Sequence, residues 1–273
     1  MNQWRTAAFR IAVSVAVALL LCLLALPLIS LLFRLPPAVL WRRLGDPMVL
    51  EALRLSLVTS AASTVAVVLL GLPVAYLLAT REFRGKRLVQ TLVELPIVLP
   101  PTVAGVGLLL AFGRAGLAGG ALQALGITLP FTTLAVIVAQ LFVATPFFLS
   151  AATAGLGAVE RRYLDAAATL RATSAYTFFR VMLPLALPSV VAGAAMSWAR
   201  ALGEFGATIT FAGSLPGRTQ TMPLAVYAAL QSDLDAAVAL SLLLVILSFT
   251  VLLTLRFAPW AAGIGARGRP VQR

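Results

Sequence analysis

The sequence predicts an all-α membrane protein with six transmembrane helices. Of its 273 residues, 61% are hydrophobic and 11% charged, against roughly 45–50% apolar and about 25% charged in an average soluble domain. Mean hydropathy is +1.00. The few charges are spaced so that apolar runs lie between them, several near the about 20 residues that cross a bilayer as a helix. A disordered chain, which needs low hydrophobicity, is excluded by the same composition.

Stretches free of Asp, Glu, Lys and Arg run Ile11 to Phe33, Leu55 to Thr80, Leu95 to Gly113, Ala115 to Val159, Val181 to Ala199 and Ala236 to Leu255. The first follows Arg5 and Arg10, as a secretory leader would. It exceeds the usual apolar core of a leader and ends among Pro27 and bulky leucines, so it reads as an uncleaved span. Pro36 and Pro37 then break any helix, leaving an interfacial hairpin around Trp41 between Arg34 and Arg43. In the third run, Pro96, Pro100 and Pro101 remove backbone donors and predict a kink or break in the helix, and Gly105 and Gly107 allow close helix approach. Such a helix either lines a path or simply packs. The fourth run is long enough for two spans. Its front holds Gly116, Gly119, Gly120, Gly126 and Pro130 and reads as a loop, leaving a helix at about 131–153. Asp233 and Asp235 are placed to cap the last helix.

The net charge of +12 is a topology signal rather than a nucleic-acid footprint, since no soluble basic face exists to carry one. The N-terminus, the 81–87 loop, the 154–180 loop and the tail hold 14 Lys and Arg; the opposite segments hold 5. This bias places both termini in the cytoplasm and predicts a multi-pass protein embedded in membrane lipid. Three regions follow: residues 1–48 with an added first helix and outer loop, a body of spanning helices at 49–257, and a short basic tail at 258–273.

Several chemistries are excluded. There is no His and a single Cys, Cys22, within an apolar run. His-based catalysis, His-ligated metal and a disulfide within the chain all fall away. No Gly-rich phosphate loop is present, because Gly85-Lys86 lacks the upstream Gly. No cofactor, metal or nucleic-acid partner is therefore expected, and any nucleotide site belongs to another subunit. An intramembrane enzyme would need a nucleophile and base at depth, where Glu94, Arg200 and Glu204 are the charged groups near the spans. An ion-coupled carrier would show inverted repeats and buried ionisable groups, and neither is evident.

The loop at 154–183 is too polar to span and too apolar for a plain linker. Good helix formers occupy 163–170, and Thr173 or Ser174 suits the N-cap of a second short helix through Phe178 and Phe179. A helix–turn–helix on the cytoplasmic face results, with Tyr176, Phe178 and Phe179 available to a partner, or resting at the lipid interface.

This loop resembles the EAA loop of ABC importer permeases: Glu-Ala-Ala, three residues, Gly, nine residues, Ile-x-Leu-Pro. Here Asp165, Ala166 and Ala167 are followed at the same spacing by Arg171 and then by Val181, Met182, Leu183 and Pro184. Asp165 replaces Glu, Val181 replaces Ile, and Arg171 replaces a Gly that marks a turn where positive φ is cheap for Gly alone. The turn is expected to differ here or to shift to Thr173–Ser174. The segments ELPIVLPPTVAGVGLLL at 94–110 and RALGEFGATITFAGSLPGR at 200–218 are similar to permeases of the molybdate, tungstate and sulfate group, molybdate above all. The resemblance covers roughly 50–257. It implies a type I ABC importer permease fold with a cytoplasmic coupling helix. It also implies a homodimer docked on two ABC ATPase subunits and fed by an external binding protein.

Within that frame Arg200 and Glu204, four apart, share a helix face and either form a neutralising pair or shape the outer gate. Gly203 and Gly206 flank Glu204 and permit tight contact with a second subunit. With Pro100 and Pro101 these are the candidate pathway and gate residues. Thr208 and Thr210 offer hydroxyls to a passing oxyanion, or satisfy local backbone. Glu94 snorkels, caps or pairs with Arg87; as a carboxylate it would repel an oxyanion. The outer segment 213–235 carries a Pro-Gly turn at 216–217 and a short amphipathic helix at about 222–231, placed to meet an external binding protein.

Overall fold

A computed structural model describes residues 3–257; the tail read at 258–273 lies outside them. The chain runs α1 (Gln3–Arg34), α2 (Pro37–Leu44), α3 (Pro47–Thr80), α4 (Lys86–Val98), α5 (Pro101–Phe112), α6 (Gly119–Ala124), α7 (Thr133–Gly157), α8 (Arg161–Thr169) and α9 (Ser174–Thr177). After a single π-helical turn at Phe178–Met182 come α10 (Leu183–Leu202), α11 (Gly206–Phe211), α12 (Met222–Leu230) and α13 (Leu234–Phe257). No strand occurs among the described residues.

Five helices are long and apolar enough to cross a membrane, and the bent pair α4 and α5 makes a sixth when taken as one span. Of the kink or break expected, the helix takes the break, and its axis turns through 118°. Pro100 has no N–H to continue α4, and Pro101 opens α5 at a position where a missing N–H costs nothing. At 1.5 Å per residue the pieces are about 20 Å and about 18 Å long, each too short for a bilayer core. They ascend α7 in succession. Val93 of α4 packs with Leu149, Ala152 and Leu156 near one end of α7, and Ala104 and Leu108 of α5 pack with Val136, Ala139 and Val143 near the other.

The core centres on α7, which lies between α3 and α10. Phe148, Ala152, Val67, Ala75 and Ala186 are buried at that junction. In lipid no hydrophobic force drives helices together, so small residues and close van der Waals contact carry the packing. Ser56, Thr59, Ser60 and Ser63 of α3 are accordingly all fully buried. Ser197 of α10 donates to the Ala144 carbonyl of α7 (3.1 Å), fixing the register of the two antiparallel helices.

The start of the chain corrects one expectation. Pro36 and Pro37 do not abolish helix; Pro36 is the N-cap of α2 and Pro37 its first residue. Helix α1 spans its apolar stretch with nothing buried. Only its end joins the core, where Leu31 and Leu35 meet Val238 and Ala239 of α13. An ion pair latches this hairpin: Arg43 Nη2 reaches Asp233 Oδ2 at 2.5 Å. Asp233, not Asp235, caps α13, accepting from Ala236 N at 3.0 Å. That backbone bond, aided by Arg43, holds the Asp233 carboxyl below the ordinary aspartate range. A depressed folded-state pKa adds stability above the unfolded value and loses it as pH falls through the folded one. The melting temperature of Asp233→Asn is expected to lie below wild type at neutral pH, and the gap to close on acidification through the carboxylate range.

The 213–235 segment is anchored more deeply than its reading as an outer contact surface implied. Met222, Leu224 and Ala225 are buried, and Met222 N donates to Ser56 Oγ at 2.7 Å. The opposite face of α12 leaves Tyr227 and Leu230 exposed.

Candidate coupling and gate sites

At one end of the bundle, α8 and α9 form the expected helix–turn–helix. Leu164 and Ala167 face inward, while Asp165 and Ala166 are exposed. The turn stays at the position the spacing assigns. Arg171 adopts φ +53°, with Arg171 N on Ala168 O (2.9 Å) and Ala172 N on Ala167 O (3.0 Å). These two bonds are the Schellman closure of a helix, with Arg in the place where Gly is usual. The left-handed region costs a side chain roughly 1–2 kcal/mol. Arg171→Gly is therefore expected to stabilise the purified permease, raising the melting temperature by an amount equivalent to about 1 kcal/mol.

Thr173 is the N-cap of α9, accepting from Tyr176 N at 3.2 Å. From Ser174 the chain continues without a break through the π-helical turn into α10, a run of 29 residues to Leu202. Pro184 cannot donate to Arg180 O, and Leu183 N instead reaches back five residues to Phe178 O. Leu183 packs into the core and Pro184 sits in the first turn of α10, so both serve the joint rather than the docking face. Phe178 is likewise an anchor: its ring meets Tyr76 edge-on at 4.9 Å and packs into the core. Tyr176 and Phe179 remain exposed. The exposed face of the loop is a hollow of about 630 Å³ lined by Tyr163, Ala166, Leu170, Arg171, Tyr176 and Val181, among others. Its rim carries Leu170, 82% exposed, and Arg162, which pairs with Glu160 at 2.8 Å and stacks on Tyr163. An exposed apolar hollow edged by charge has the character of an interaction site.

The second cluster lies beyond the end of α10. Arg200 Nη2 meets Glu204 Oε2 at 2.7 Å, and Glu204 is 1% exposed. Its other oxygen accepts from Ala207 N at 2.7 Å and so caps α11. Gly206 makes a close contact within the chain: a Cβ there would lie 2.6 Å from Pro101 Cβ. Gly105 is pressed in the same way on Thr210 and the Ala207 carbonyl. Thus Pro101, Gly105, Gly206 and the Arg200–Glu204 pair form one unit in which α5 lies directly on α11. Gly203 is exposed, with only the Ala199 carbonyl at 3.6 Å from where a Cβ would lie, and Pro100 is exposed at the elbow. Thr210 is committed to the Gly206 carbonyl (2.9 Å), whereas Thr208 Oγ1 is buried with no partner.

Gln140 was not singled out from the sequence. It is fully buried on α7 with neither amide atom bonded. The α7–α10 register, with Ala144 against Ser197, places it one turn further along, level with Ala201. A lone polar residue in an apolar run was the available signal.

A bundle of membrane-length apolar helices, with one bent pair and a helix–turn–helix that runs without a gap into a spanning helix, defines a polytopic membrane protein. The chain belongs to the binding-protein-dependent transport system inner membrane component family, whose profile matches residues 68–258. It is 46% identical over 243 residues to the molybdenum transport system permease protein ModB of Mycobacterium bovis, covering 89% of each chain. It is 35% identical to ModB of Escherichia coli K12, covering 78% of this chain and 93% of that one. Against the molybdate/tungstate permease WtpB of Pyrococcus abyssi the identity is 39%, over 71% and 73%. In fold it is similar to a bacterial ABC transporter involved in import of the polysaccharide alginate, with TM-score 0.73, 15% identity and 97% of both chains covered.

Proposed function

We propose that this chain is the permease subunit of an ATP-driven importer of molybdate. The similarity to molybdenum permeases along nearly the whole chain carries the reading. On it, two copies form the pathway, each coupling loop seats in a groove of an ABC ATPase, and an external binding protein delivers the oxyanion. ATP binding draws the ATPases together, and each coupling loop moves the spanning helix it continues into. The permease itself binds no nucleotide and makes no bond. The Lys and Arg bias sets the coupling loop and both termini in the cytoplasm. Tungstate is the second reading, supported by the likeness to the molybdate/tungstate permease; sulfate or thiosulfate is a further alternative within the group.

The test is ATP hydrolysis by the complex reconstituted in proteoliposomes, with binding protein carrying molybdate, tungstate or sulfate. Molybdate is expected to stimulate most. Stimulation by sulfate alone would reassign the substrate, and no stimulation by any of the three would remove the reading.

A further inference from the structure

A cleft of about 280 Å³ opens between α4 and α7, lined by Leu78, Gln90, Glu94, Ser150 and Thr153 among others. By helical rise, Ser150 and Thr153 lie about 10 Å and about 6 Å from the coupling end of α7. Glu94 has no ion-pair partner among the described residues; Arg87 does not reach it. An unpaired carboxylate on a spanning element is tolerated where it faces water rather than lipid. Thr153 is anomalous as well. Thr59, Thr64, Thr80, Thr91, Thr145 and Thr210 each donate to the carbonyl four residues back. The Thr153 hydroxyl makes no such bond and is buried without any partner. Its donor is unspent, and Ser150 and the Gln90 amide stand beside it in the same cleft.

Resting on the function proposed above, we infer that this cleft is the last holding point of the oxyanion before release. Gln90, Ser150 and Thr153 donate hydrogen bonds to it, and Glu94 keeps its residence short. Uncharged donors suit a tetrahedral oxyanion, which also accepts bonds from water. A carboxylate across the cleft repels it, so the site is weak, as a transit site must be.

The test uses the complete complex of permease, ATPase and binding protein in proteoliposomes. Initial ATP-driven uptake of labelled molybdate is followed as molybdate on the cytoplasmic side of the complex is raised. Glu94→Gln removes the repulsion and is expected to lower the half-inhibiting concentration about tenfold. Glu94→Asp keeps the charge and should match wild type, while Gln90→Glu should raise the concentration. The inference is overturned if Glu94→Gln overlies wild type with uptake intact, or if Glu94→Asp shifts as far as Glu94→Gln. Should Glu94→Gln not assemble with the ATPase, an unshifted Gln90→Glu curve overturns it alone. Failure of the function itself is visible separately, as a wild-type complex that takes up no molybdate.

Discussion

Glu204→Ala is expected to destabilise the permease more than any other single truncation near the far end of the bundle. The carboxylate is buried, neutralises Arg200 and caps α11. Removing one partner of a buried pair typically costs about 3–5 kcal/mol. Arg200 keeps 27% of its side chain exposed, so the lower end of that range applies. Lost capping contributes about 1 kcal/mol more. Thermal melting of the purified permease separates the two parts. Glu204→Gln keeps an acceptor for Ala207 N and should fall between wild type and Glu204→Ala. Adding Arg200→Met to Glu204→Gln should recover much of the loss, because a matched apolar replacement leaves no unpaired charge. If Glu204→Gln melts at the wild-type temperature, the ion pair is worth nothing here and the carboxylate is only a cap.

A second large effect is expected at the coupling loop, and the structure decides which alanine tests it. Ala167 is 7% exposed, so a charge there would unfold α8 and report on folding. Ala166 is exposed on the docking hollow and tolerates any good helix former. Ala166→Arg is expected to abolish co-purification of the cognate ATPase while the permease keeps its melting temperature. Asp165→Arg, on the same exposed stretch, should weaken it too. An ATPase that co-purifies equally with wild type and Ala166→Arg would remove the docking assignment.

Most of the spanning architecture was legible because bilayer thickness and charge spacing set it. The runs from 11 to 33, 55 to 80 and 236 to 255 became helices that extend past the first charge at every end but Thr80, since backbone pairing continues beyond it. The third run was legible as interrupted but not as a turn of 118°. Proline says where a helix loses its donor; the direction of the next piece depends on what it leans on, here Gly105 on Thr210. The EAA-like spacing located the helix–turn–helix, yet it could not tell that Arg171 would accept φ +53° rather than shift the turn. Two hydrogen bonds on either side of that residue hold it there. The approach of Gly206 to Pro101 was not legible, because sequence shows that a glycine permits approach, not whose backbone approaches. Phe178 was grouped with its exposed neighbours for a similar reason: a π-helical turn advances residues at a different angle from the α-helix assumed.

That same turn sets how a push on the loop is carried. Because α9 runs into α10 without a gap, the loop and the spanning rod are one shaft. Because Phe178–Met182 winds one residue wider than an α-turn, the shaft has slack in its thread. Taking up that slack would screw the loop about the axis by roughly 100°, the angle one residue subtends in an α-helix. The seam therefore admits torsion as well as thrust, and it lies where Phe178 clamps it to Tyr76.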